Sequence, residues 1–158
     1  MQEVPEAACK EFLQRHRIGV IALAEGGKAY AIPLFYAYDG NRLFFHSHPG
    51  EKDHFLENCE EASFVVVEAH GDDDWTSVQA TGSVEKITLS DDAMQALDVM
   101  AKNPFPPEFG ANPKGYPNRS AQNMYLWMMK PQKVTGRKSR TPSPRLKLRP
   151  GESADRPS

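Results

Sequence analysis

Alternation of apolar and polar residues at a period of two dominates the chain from Ile18 to Ile87 and predicts strands joined by tight turns. IGVIALAE (Ile18–Glu25) reads as a β-branched strand closed by the turn pair Gly26-Gly27. KAYAIPLFYAY (Lys28–Tyr38) is a second long strand, and Asp39-Gly40 is a hairpin signal leading into RLFFHSH. Pro33 interrupts the second strand. Proline cannot donate to a ladder, so that side of the strand must be an edge, a bulge or a place where a ligand docks. SFVVVEAH (Ser63–His70) reads as a buried strand, GDDD as an acidic turn, and WTSVQATGSVEKI (Trp75–Ile87) as a long strand bulged at Gly82.

Helical spacing appears in three places. Pro5–His16 carries Ala8, Phe12 and Leu13 on one face behind an N-terminal proline. EKDHFLENC (Glu51–Cys59) reads as a short helix. Ser90, followed by Asp91 and Asp92, starts a third whose apolar face is Ala93, Met94, Leu97, Val99 and Met100. A proline-rich loop, Asn103–Ser120, precedes the final strand NMYLWMMKPQKVTGRK. About six strands in hairpin order with a few short helices imply a mainly β protein, an antiparallel barrel with helical additions.

Composition narrows this picture. The 158 residues suit one domain with a single core. No apolar run approaches the roughly 18 residues that span a bilayer, and the N-terminus lacks a secretory pattern. Cys9 and Cys59 therefore read as reduced thiols in a cytoplasmic protein. The net charge of −2 hides an asymmetry: residues 131–158 hold eight Lys or Arg against Glu152 and Asp155. From Ser139 the sequence is rich in Pro, Ser and Arg and predicts a disordered basic tail (139–158) after a folded domain (1–138). Without interleaved aromatic residues, that tail argues against nucleic-acid recognition.

The candidate chemistry gathers at FFHSHPGEKDHFLENC (Phe44–Cys59), which holds three of the five histidines. Three readings stand side by side. His46 and His48, at i and i+2 of a strand, could hold a divalent metal with His54 or Glu51. The Ser47 hydroxyl, the Gly50 backbone, a helix N-terminus near Glu51 and the Lys52 ammonium could cradle an anion. The stretch could also be a plain strand-to-helix corner. No nucleophilic triad, Walker loop or paired-carboxylate site stands out.

The ordered set GGKAYAIPLFYAYDG, FFHSHPGEK, TSVQATGSVEKI and LWMMKPQKVTGRK resembles the FMN-binding split barrels related to pyridoxamine 5′-phosphate oxidase, and in particular the branch that includes nitroimidazole-resistance proteins. The likeness covers roughly Phe12 to Lys138. It implies a split barrel that binds FMN at a homodimer interface. Ile32, Pro33, Leu34 and Phe35 would lay backbone against the flavin ring, and Ser77 would approach it from another strand. His46 and Ser47 would line the ribityl and phosphate region, Lys52 would pair with the phosphate, and Trp127 and Arg137 would come from the second subunit. His46 would act as the proton donor in an oxidoreductase that reduces a nitroaromatic or similar small molecule, with NAD(P)H as an electron source. The oxidases' last-strand Arg-x-His-x-Arg run is replaced here by Lys133–Arg137, which has no histidine, and their second-strand arginine by Ile32. Both departures point away from vitamin B6 chemistry. The alternatives are a haem- or deazaflavin-binding split barrel, or a non-catalytic flavin-binding or sensor protein.

Overall fold

The computed structural model describes residues 1–103 and 125–139. The expectations for the proline-rich loop from residue 104 and for the tail from residue 140 lie outside them. Among the described residues eight strands form one sheet with every pairing antiparallel. In chain order the elements are β1 (Gln2–Val4), α1 (Glu6–Arg15), β2 (Ile18–Glu25), β3 (Lys28–Phe35), β4 (Ala37–Tyr38), β5 (Leu43–Ser47), α2 (Glu51–Asn58), β6 (Ala62–Gly71), β7 (Asp74–Lys86), α3 (Ser90–Lys102) and β8 (Tyr125–Lys138). The sheet runs β3-β2-β6-β7-β8-β5-β4, with β1 added to β8. Its path bends round until β3 and β5 come near one another without forming a ladder. The barrel is therefore split along that seam.

Turn chemistry sets the registers. Gly26 and Gly27 have φ of 54° and 77°, so this two-residue turn can carry the right-handed strand twist, and Glu25 lies opposite Lys28. In the next hairpin Asp39 Oδ1 accepts from the backbone N–H groups of Asn41 and Arg42, while Gly40 takes φ of 100°. The irregularity expected at Gly82 is present, but the extra residue is on its partner. Thr81 faces Lys133 and Gly82 faces Pro131, which leaves Gln132 bulged in β8. A glycine is needed there because a Cβ would sit 2.0 Å from the Lys130 carbonyl oxygen.

Two strands exceed the expected six. β1 is three residues with no alternation to betray it, pairing Gln2, Glu3 and Val4 with Lys138, Arg137 and Gly136. The predicted strand Lys28–Tyr38 divides at Tyr36, whose N–H donates to the Arg17 carbonyl and whose buried hydroxyl donates to the Leu13 carbonyl at 2.7 Å. That residue leaves the ladder to bind α1, and the strand resumes as β4.

The main core fills the barrel with Ile21, Leu23, Phe45, Phe64, Val66, Val78, Trp127 and Met129, closed at one end by Phe12 and Leu13 of α1. A second cluster of Phe44, Ala96 and Met128 seats α3 on the outside. Cys9 and Cys59 are free, buried thiols. No described helix is long and apolar enough to cross a membrane.

Because the Gly82 Cβ position is occupied by backbone, relief requires strand movement. We expect Gly82→Ala to lower stability by about 1–3 kcal/mol in urea denaturation, as overpacking does; an unchanged midpoint would show that the bulge is loose.

Candidate functional site

The seam encloses a cleft of about 190 Å³. One wall is the edge strand β3, contributing Ile32, Pro33, Leu34 and Phe35, and the opposite wall is Phe45, His46, Ser47 and His48 at the end of β5. Ile21 and Leu23 of β2 and Leu56 of α2 form an apolar floor, and Lys52 of α2 completes the lining. Pro33 therefore sits on a sheet edge, opposite Val20 of β2 and with no strand paired on its other side. Among the described residues the lining holds one lysine, two histidines and no acid. An apolar slot with a lysine and two imidazoles in its lining suits a flat ring system that carries an anion.

The corner between β5 and α2 is built around a carboxylate that the sequence reading passed over. Asp53 is 7% exposed, and its Oδ1 accepts from the Ser47 hydroxyl at 2.6 Å. Its Oδ2 accepts from the Gly50 N–H at 2.7 Å, and its own N–H donates to the Gly50 carbonyl at 3.1 Å. Ser47 Oγ in turn accepts from the Trp127 indole N–H at 2.8 Å. Ser47, expected to face a ligand phosphate, lines the cleft with its hydroxyl already committed to Asp53 and Trp127. The Gly50 N–H, the other expected anion donor, is committed likewise. Gly50 itself is extended, and a Cβ there would meet only the His48 carbonyl oxygen at 3.9 Å, so protein packing does not demand glycine.

Charge is held at the cleft surface. Lys52 follows Glu51 in the first turn of α2, while Asp53, one position on, turns inward. Burial holds the His46 imidazole below its ordinary 6.5, with His48 and Lys52 adding in the same direction. The ring of His48 lies 6.1 Å from that of His46. His54 points elsewhere and pairs with Glu25 at 2.8 Å. Among the described residues no three His, Cys, Asp or Glu side chains converge as a metal would need.

Three predicted residues stand apart from the cleft. Trp127, expected to reach a second subunit, is 1% exposed and packed in its own core, where the donated N–H fixes its ring. Ser77 of β7 lies opposite Val67 and Arg137. Arg137 pairs with Glu3 at 3.0 Å, beside β1. The apolar floor was readable from the alternation in Ile18–Glu25. Asp53 had one visible signal: an acid at the third helical position after Gly50, where a capping carboxylate belongs.

The pyridoxamine 5′-phosphate oxidase family model matches residues 5–138, and the chain belongs to that family. An uncharacterized protein of Rhizobium meliloti (strain 1021) is 24% identical over 100 residues, a match spanning 61% of this chain and 66% of the relative. A solved FAD-binding protein from Mesorhizobium loti superposes with a TM-score of 0.71 at 24% identity, covering 88% of this chain and 98% of that one. A solved putative 5-nitroimidazole antibiotic resistance protein from Bacteroides thetaiotaomicron gives 0.64 at 16% identity, covering 85% of each chain. At these identities the solved structures speak for the shared fold.

Two outcomes follow from the site itself. His46 resists protonation when folded, so stability should fall as pH drops below about 6.5 and be constant above it, as far as this group contributes. In denaturation curves between about pH 5 and 7, His46→Gln should flatten that slope; an identical slope would assign it to other groups. Ser47→Ala strands the Trp127 N–H and one Asp53 oxygen, and should cost about 1–3 kcal/mol in the same assay.

Proposed function

We propose that the cleft binds a flavin, specifically FMN, and that the protein is a flavin-dependent oxidoreductase reducing a small molecule of the nitroaromatic kind with electrons from NAD(P)H. The observation that carries this reading is the edge of β3 at Ile32–Leu34, where no described strand pairs on the cleft side, facing Lys52 and His46 across an apolar cleft whose described lining holds no acid. Family membership and the flavin- and nitroimidazole-related neighbours support it.

Each wall has a distinct task. The β3 edge offers a flat apolar surface and unladdered backbone groups, which can hydrogen-bond the polar rim of a ring system. Lys52 supplies the charge for a phosphate, reinforced by the N-terminus of α2. A bound flavin would supply the electron transfer, and the protein its binding and orientation. Burial lowers the basicity of the His46 imidazole, so its unprotonated ring nitrogen can accept a proton at the cleft wall, and a proton taken up there is readily given on. Lys133–Arg137 lies in the β7–β8 ladder away from the cleft, and no vitamin B6 oxidation is proposed.

The cleft is small against the roughly 300–1,000 Å³ usual for ligand pockets, which supports a second copy completing the site as a homodimer. Val20 and Val67, on neighbouring strands, leave apolar surface for such a partner.

The test is the absorbance spectrum of purified protein, repeated after adding FMN or FAD and desalting. Retained flavin bands, one per subunit, are expected. A Soret band, or a colourless protein that retains neither flavin, would overturn the assignment. Lys52→Ala should weaken FMN binding by about 1.5–3 kcal/mol, the worth of a charge-assisted contact; unchanged affinity would remove Lys52 from the phosphate site.

A further inference from the structure

The Ser47–Gly50 corner contains an anion cradle that already has an occupant. A hydroxyl and a backbone N–H converge at 2.6 and 2.7 Å on the two oxygens of one carboxylate, and that carboxylate is 7% exposed. The ligands are the donors expected for a bound phosphate, but the bound group is Asp53. Asp53 does not line the cleft, whereas Lys52, its neighbour in sequence, does.

We infer that Asp53 is the positioning residue of the phosphate-binding corner, tying the crossing from β5 to α2 from beneath so that Lys52 is presented to a phosphate group on the outer side. This rests on the reading of the cleft as a phosphate-bearing cofactor site. The tie is two-ended: Asp53 holds the first turn of α2 through Gly50, and holds β5 through Ser47. Ser47 is itself fixed to the core by the Trp127 indole N–H. The chain Trp127 to Ser47 to Asp53 to Gly50 thus runs from the barrel interior to the helix start with every donor used. It leaves ligand phosphate to Lys52 and the exposed helix start rather than to the Ser47 hydroxyl. Adjacent positions on a helix point about 100° apart, so a shift of Asp53 re-aims Lys52 directly.

The experiment compares full-length wild-type protein with Asp53→Asn and Asp53→Ala. FMN, riboflavin and inorganic phosphate are titrated while the His46 ring and Trp127 indole N–H resonances are followed by NMR. The expected result is FMN affinity lowered by about tenfold or more, the effect of losing a charge-assisted contact, with riboflavin affinity nearly unchanged. Inorganic phosphate should move the His46 resonance in wild type and not in Asp53→Ala. Asp53→Asn, whose carbonyl oxygen can still accept one hydrogen bond, should lie between the two. Where Asp53→Ala does not fold, the isosteric Asp53→Asn carries the comparison. FMN and riboflavin affinities falling together would make Asp53 a packing residue only. Unchanged or tighter FMN binding would make it a bystander or a competitor for the cradle, and either result overturns the inference. If wild type binds neither flavin, the flavin reading fails and the phosphate titration decides. A phosphate response lost in the variants upholds the role of Asp53, and a silent wild type overturns it.

Discussion

The constraint from which the rest of this structure follows is a ladder that never forms. β3 and β5 are brought together by the curvature of an eight-stranded sheet, yet no strand pairing joins them. A proline in the free edge of β3 removes a donor from the side where pairing would otherwise extend. The opening lets the apolar lining of the barrel, Ile21 and Leu23 among it, reach a cleft instead of ending in sealed core. A closed barrel of this size would fill its interior with side chains and hold nothing else.

Opposite that seam the chain handles its charges with care. The cleft wall carries the Lys52 ammonium, while the neighbouring Asp53 is turned inward with a donor on each carboxylate oxygen. A buried, unpaired carboxylate would be costly, but Asp53 has a hydroxyl and a backbone N–H, and no buried side-chain N or O among the described residues lacks a hydrogen-bond partner. The same side chains that make the corner rigid also strip it of two donors it would otherwise offer. The polar groups that line the cleft beside Ser47 are a lysine and two imidazoles, across from a strand edge.

Much of this was legible in the residues. Period-two alternation located β2 to within its ends, and Gly26-Gly27 and Asp39-Gly40 marked hairpins that the structure contains. Pro33 announced an unladdered strand side correctly. β1 left no trace because three residues carry no period and their pairing with β8 is a purely tertiary event. The break at Tyr36 was hidden because its cause is a hydrogen bond to Leu13, distant in sequence. At the site, Ile32–Phe35, His46 and Lys52 line the cleft, the positions that the family resemblance had singled out. The bonds of Ser47 to Asp53 and Trp127 were hidden because a hydroxyl reads the same whether it faces a ligand or a buried acid. Trp127 is buried in its own core, where aromatic residues on a final strand are as much at home as at an interface, and only the three-dimensional position of Ser47 shows where its N–H goes.

The position of β8 in the sheet has a consequence for how the protein is made. β8 is the last described strand, yet it lies in the middle of the sheet order, between β7 and β5, and also receives β1. Until it emerges from the ribosome, the hairpin β4–β5 has no ladder connecting it to β3-β2-β6-β7, and the N-terminal strand has no partner. One wall of the cleft therefore waits, as a separate piece, for a strand synthesised about eighty residues after it (Tyr125 pairs with Ser47). A nascent chain stalled before Tyr125 would expose Phe44 and Phe45 with nothing to cover them from β8.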